Sequence, residues 1–78
     1  LGVMSRSVLV IDDEESILQS LKGALGDEGY TVRTANSAPK GLDLLKADRS
    51  DVVLLDIWMP GMDGIEALKV IRQEWPDQ

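Results

Sequence analysis

The chain has no cysteine and no histidine among its 78 residues. The first absence removes a disulfide framework and every thiolate metal site. The second removes the commonest transition-metal ligand and the usual general base, so Ser-His-Asp and Cys-His mechanisms are excluded. Basic residues are few: 8 Lys and Arg stand against 14 Asp and Glu, for a formal charge of −6. That balance does not favour nucleic-acid phosphates, and this chain is expected to make no direct contact with them. Long apolar runs are missing as well, since no stretch approaches the roughly 18–20 consecutive apolar residues of a membrane helix. Residues 1–7 lack the apolar core of a secretory signal. A cytoplasmic location without membrane contact is the expectation. Carboxylate chemistry with a hard cation is what this composition leaves.

The 44% of hydrophobic and 28% of charged residues are ordinary for a soluble globular domain. A chain of this length builds one small core and buries roughly 60% of its unfolded surface. Met4, followed by Ser and Arg, is a candidate natural start, which would make Leu1, Gly2 and Val3 additions ahead of it. Residues 1–6 are read as a tail and residues 7–78 as the folded unit.

Residues 7–11, SVLVI, form an apolar run bounded by charge, the pattern of a strand buried on both faces. The run ends in Asp12, Asp13, Glu14 and Glu15, which cannot enter a core unpaired and so belong at the strand's carboxyl end. Ile17, Leu18, Leu21 and Leu25 recur at helical spacing, with Gly26 or Gly29 as the stop. Residues 30–35 read as a second strand. Asn36 or Ser37 can cap a second helix that tolerates Pro39 in its first turn and carries Leu42, Leu45 and Ala38 inward. Residues 51–56 are the third strand, again an apolar run closed by an aspartate, Asp56. Pro60, Gly61 and Gly64 punctuate the next loop, and Ile65, Leu68 and Ile71, with Ala67 beside them, start a third helix that Trp75 and Pro76 close. Strand and helix alternate three times, which predicts an α/β fold with a parallel sheet and helices on both faces.

Two of the three strands therefore end in aspartate. If the first and third strands are neighbours, strand spacing brings Asp12, Asp13 and Asp56 into one cleft. Three like charges either share protons or hold a cation, and Mg²⁺ suits an all-oxygen site that also meets a phosphoryl group. Asp56 can act as a nucleophile toward phosphorus without a base, because carboxylates are ionised near neutral pH.

VLVIDDEESI and LLDIWMPGMDGIEAL, at this separation, resemble the first strand with its acidic pair and the phospho-acceptor strand and loop of bacterial response-regulator receiver domains. The resemblance covers essentially residues 7–74. It implies a flavodoxin-like, three-layer α/β/α receiver fold with strand order 2-1-3, incomplete after β1-α1-β2-α2-β3-α3. It implies Asp56 as phospho-acceptor in a two-component phosphorelay, Mg²⁺ held by Asp13 and Asp56 with Asp12 acting mainly through metal-bound water, and the backbone carbonyl of Trp58 as a further ligand. A sensor histidine kinase is the implied donor, and a transcription-activating output domain outside these residues is the implied target. The run from Ile57 to Leu68 looks most like receivers of sigma-54-dependent activators. The family's Ser or Thr ending strand four and Lys ending strand five have no counterpart within residues 1–78.

Blander readings stand beside these. Asp12 and Asp13 alone could mark an acidic helix start, and Asp56 alone a turn residue. Asp63 reads as turn chemistry, and the loop lacks the alternating ligands of a calcium-binding EF-hand. A metal-dependent aspartyl-phosphate phosphohydrolase is the alternative function, but that chemistry wants an Asp two residues after the nucleophile, where Trp58 stands. The chain is accordingly read as a switch and not an enzyme. With order 2-1-3 the third strand is an apolar sheet edge, and self-association through it is expected.

Overall fold

Three parallel strands form one sheet in which the first lies between the second and the third. The computed structural model describes residues 6–56 and 64–76. The elements are β1 (Ser7–Ile11), α1 (Glu15–Asp27), β2 (Thr31–Ala35), α2 (Ala38–Ala47), β3 (Val52–Leu55) and α3 (Gly64–Glu74). Residues 1–5, 57–63 and 77–78 fall outside the description, and with them most of the tail and the expectations for Trp58, Pro60, Gly61 and Asp63.

β1 is the central strand, paired with β2 from Ser7↔Thr31 to Ile11↔Ala35 and with β3 from Val8↔Val52 to Ile11↔Leu55. Its alternation divides the core. Leu9 and Ile11 join Ala35, Leu42, Leu45, Ala67 and Ile71 on the side of α2 and α3, while Val8 and Val10 meet Leu18 of α1 on the other. The expected three layers are present. α2 lies so close to the sheet that a Cβ on Gly41 would run into the Cδ1 of Ile11 and stand 2.7 Å from its Cγ1.

Helix ends follow local chemistry. The Ser37 hydroxyl accepts from the Lys40 N–H at 3.3 Å, so Ser37 and not Asn36 is the cap, with Pro39 in the first turn. α1 runs through Gly26 to Asp27, with Glu28 as its cap. Gly29 then turns at φ +94, and the N–H groups of Gly29 and Tyr30 bond back to the carbonyls of Gly26 and Leu25. Only a residue without Cβ adopts that φ freely, which decides between the two glycines.

Three expectations need correction. The apolar run of β3, which reads as a buried strand, is only partly covered: Val52 and Leu54 are 45% and 39% exposed, because among the described residues the one helix on that face lies over β1 and β2. In α3 the inward residues are Ala67 and Ile71, with Val70 and Trp75 packed beside them, while Ile65 and Leu68 face outward. The apolar residues Ile65, Ala67, Leu68, Val70 and Ile71 form a broad face on that helix, so the 3.6-residue period fits two stripes and packing selects the one containing the small Ala67. Ile17, expected in the inward stripe of α1, is exposed, and Leu18 alone in that helix is fully buried.

Candidate functional site

The register of the sheet builds the site. β1 and β3 pair in parallel and end together at Ile11↔Leu55, so the residues that follow them, Asp12 and Asp56, emerge side by side. Backbone bonds continue just past the strands: the Asp12 N–H donates to the Ala35 carbonyl at 3.1 Å and the Asp56 N–H to the Ile11 carbonyl at 3.0 Å. Both aspartates are thereby held at the carboxyl edge, where open parallel sheets bind ligands. Asp12 also uses Oδ1 to accept the Glu14 N–H at 2.9 Å, which turns the chain into α1. Glu14 caps that helix through its backbone only, its carbonyl accepting from Ile17 and Leu18.

Asp12, Asp13 and Asp56 come together, each offering a carboxylate oxygen, and these oxygens lie within 4.8 Å of one another. Asp12 and Asp56 are half-buried and Asp13 is exposed. Three carboxylates at this spacing repel, and two of them are partly withdrawn from water, so the set favours a compensating cation. The donors fit one. Opposite oxygens in an octahedral Mg²⁺ shell stand about 4.2 Å apart, so a shift of roughly half an ångström would bring a 4.8 Å span into the shell. A hard, all-oxygen donor set also matches Mg²⁺ better than a softer metal.

A cleft of about 410 Å³ opens beside the cluster, lined on one side by Asp12 and Asp56 and on the other by Val10, Ile17, Leu21 and Leu54. A second cleft, about 450 Å³, lies between α1, β2 and α2 near Glu15, Lys40 and Asp43, and none of the three convergent carboxylates lines it. Among the described residues no helix is long and apolar enough to cross a membrane.

Two supports of the site were not read from the sequence. Asp51 brackets the start of the same strand pair: its Oδ2 accepts the Ser7 N–H at 2.7 Å while its own N–H reaches the Ser7 carbonyl at 2.9 Å. Arg33 reaches from β2 to the end of α2 and the entry of β3, donating to the Leu44 carbonyl at 3.0 Å, the Asp48 carbonyl at 2.6 Å and the buried Ser50 Oγ at 2.7 Å. A single arginine in an otherwise uncharged strand was the available signal. Trp58 and Asp63, the remaining residues singled out from the sequence, lie outside the described residues.

Comparison with known proteins gives a consistent result. The model of the response regulator receiver domain matches residues 8–78. The nitrogen assimilation regulatory protein NtrX of Azorhizobium caulinodans is 41% identical over 76 residues, 95% of this chain and 17% of that protein. The response regulator MprA of Mycobacterium bovis is 36% identical over 74 residues, 95% of this chain and 32% of that protein. The structure of the chemotaxis protein CheY4 of Vibrio cholerae superposes with a TM-score of 0.90 at 35% identity, covering 95% of this chain and 62% of that one. The chain thus spans under a third of these curated relatives.

Proposed function

Because the chain belongs to the response regulator receiver domain family, we propose that Asp56 is its phospho-acceptor and that Asp12, Asp13 and Asp56 hold Mg²⁺ beside it. The single observation that carries this reading is the convergence of the three carboxylates at the joint carboxyl end of β1 and β3. The backbone carbonyl of Trp58, two residues past the acceptor, belongs to the same proposal as a further ligand.

In the proposed reaction a carboxylate oxygen of Asp56 attacks the phosphorus of a phosphohistidine on a sensor kinase. The new O–P bond makes an acyl phosphate, the P–N bond breaks, and the kinase imidazole leaves with the electron pair and takes up a proton. The metal supplies charge neutralisation at the phosphoryl oxygens. Asp56 is held by its backbone bond to Ile11 and lines the cleft, and a carboxylate nucleophile needs no general base. Asp12 and Asp13 hold the negative charge that makes a cation favourable there. The role is a cytoplasmic signalling switch acting on an output part of a longer protein. The likeness to a nitrogen assimilation regulatory protein supports placing that output among the sigma-54-dependent transcription activators.

The test is incubation with a small phosphoramidate donor and Mg²⁺, followed by intact mass measurement. One added phosphoryl group, labile to hydroxylamine, is expected in the native chain and absent in Asp56→Asn. Labelling that persists in Asp56→Asn overturns the assignment. For the metal, Mg²⁺ should quench Trp58 fluorescence in a Trp75→Phe background, and Asp13→Asn should weaken that response at least tenfold. An unaltered titration in Asp13→Asn removes it from the ligand set.

A further inference from the structure

Ile11 is the last residue of β1, and its backbone places both aspartates of the sheet's carboxyl edge. Its carbonyl accepts the Asp56 N–H at 3.0 Å, and Asp12 follows it directly in the chain, with an N–H that reaches the Ala35 carbonyl at 3.1 Å. The Ile11 side chain is 0% exposed, with Ala35 and Leu55 at its level in the strands on either side. On the α2 face it meets Gly41, the fourth residue of that helix. A Cβ at position 41 would strike the Ile11 Cδ1 and stand 2.7 Å from Cγ1 and 3.6 Å from Cγ2.

The two close contacts differ in what relieves them. Turning χ2 swings Cδ1 away but leaves Cγ1 in place, and Cγ1 moves only with χ1 or with the backbone. A β-branched side chain is stiff at χ1, and in a close-packed interior its other rotamers meet neighbours. α2 is itself held at both ends: Ser37 caps its first turn, and Arg33 of β2 donates to the Leu44 and Asp48 carbonyls at the other end. The carboxyl end of β1, which gives way to a turn, is the softer partner. A Cβ on Gly41 therefore pushes Ile11 along the sheet normal toward α1. Asp12 moves with it covalently, whereas Asp56 is drawn only through one hydrogen bond.

We propose that Gly41 is a positioning residue for the carboxylate cluster, because the side chain it lacks gives Ile11 its seat and that seat sets Asp12 against Asp56; the proposal rests on the reading of the cluster as a Mg²⁺ site. The three carboxylate oxygens lie within 4.8 Å of one another. Mg²⁺ demands near-ideal octahedral geometry at about 2.0–2.1 Å, whereas Ca²⁺ accepts irregular shells at about 2.3–2.6 Å. A displaced β1 end should then penalise Mg²⁺ more than Ca²⁺. Lost stability alone would leave the ratio of the two affinities where it was.

The test is an NMR titration of the ¹⁵N-labelled chain, following the Asp12, Asp13 and Asp56 amides with Mg²⁺ and separately with Ca²⁺. All variants carry Gly23→Ala, where an added Cβ meets nothing and alanine favours the helix, so that Gly41→Ala stays folded. Gly41→Ala should weaken Mg²⁺ binding about fivefold, short of the roughly 10–100-fold seen when a direct outer-shell partner is lost, and Ca²⁺ binding by under about twofold. Adding Ile11→Val, which deletes Cδ1, should recover part of the Mg²⁺ loss. Leu45→Val, in the same buried cluster one turn farther along α2, controls for lost packing and should leave both affinities unchanged. Native Mg²⁺ affinity in Gly41→Ala, equal losses for the two ions, a double variant no better than Gly41→Ala, or the same loss in Leu45→Val each overturns the proposal. A parent chain that binds no Mg²⁺ overturns the metal reading instead, and the metal-free spectra then decide the positioning. Gly41→Ala should shift the Asp12 and Asp56 amides there, and resonances that stay in place overturn it.

Discussion

β1 and β3 are alike in sequence and unlike in structure. Each is a short apolar run closed by an aspartate, and each delivers its carboxylate to the same cluster. Yet four β1 residues, Val8 through Ile11, are 0–4% exposed, while β3 alternates between half-buried and exposed. The contrast is one of position: among the described residues β1 has a strand on either side and packed side chains on both faces, and β3 has one neighbour and a helix layer on one face. An apolar run therefore reports what a strand can tolerate and not how far it is covered. The two strands divide the labour, with β1 holding the fold together and β3 carrying the proposed acceptor.

The widest separation between them is expected from one substitution made twice. Leu9→Ala empties a site that is 0% exposed and should cost about 2–5 kcal/mol by cavity formation. A chain of 78 residues has only roughly 4–12 kcal/mol of stability, so this variant is expected near the limit of folding at 37 °C. Leu54→Ala, at 39% exposure, should cost under about 1 kcal/mol in dilute solution. Urea unfolding monitored by circular dichroism measures both. Equal losses would mean that β3 is as covered as β1.

A smaller effect probes how tightly α2 is held against β1. Gly41→Ala should lose about 1–3 kcal/mol by overpacking, against the usual gain from replacing a helical glycine with alanine. Ile11→Val deletes the Cδ1 that a Cβ at position 41 would strike. The double variant should therefore recover part of the loss, and purely additive costs would mean that the two sites do not meet.

Much of the fold was legible because each signal had one physical meaning. Alternation of strand and helix implied the parallel sheet, and the two aspartate-ended runs implied the carboxylate cluster; both are present. The strand order itself came by way of the resemblance, since periodicity does not order strands. What escaped was tertiary choice. The apolar residues of α3 permit two inward stripes, and packing chose Ala67 and Ile71 over Ile65 and Leu68. The roles of Arg33 and Asp51 depend on groups 11 to 17 and 44 residues away, respectively, distances at which no local pattern speaks.

Arg33 gives the finest test of the difference between the strands: its backbone is paired opposite Leu9 of β1, but its side-chain bonds tie the end of α2 to the entry of β3. Its three bonds end on two carbonyls near the carboxyl terminus of α2 and on Ser50, which is 6% exposed. A cation there also opposes the negative end of the helix dipole. Arg33→Met keeps the aliphatic stem and removes the donors, leaving buried Ser50 to find another partner, and should cost about 1–2 kcal/mol. Amide hydrogen exchange should then rise at residues 44–55 and not in β1. Arg33→Lys can satisfy fewer of these acceptors at once and should fall between the two. Exchange that rises equally in β1 would mean that the edge strand and the central strand open together, and the division between them would be lost.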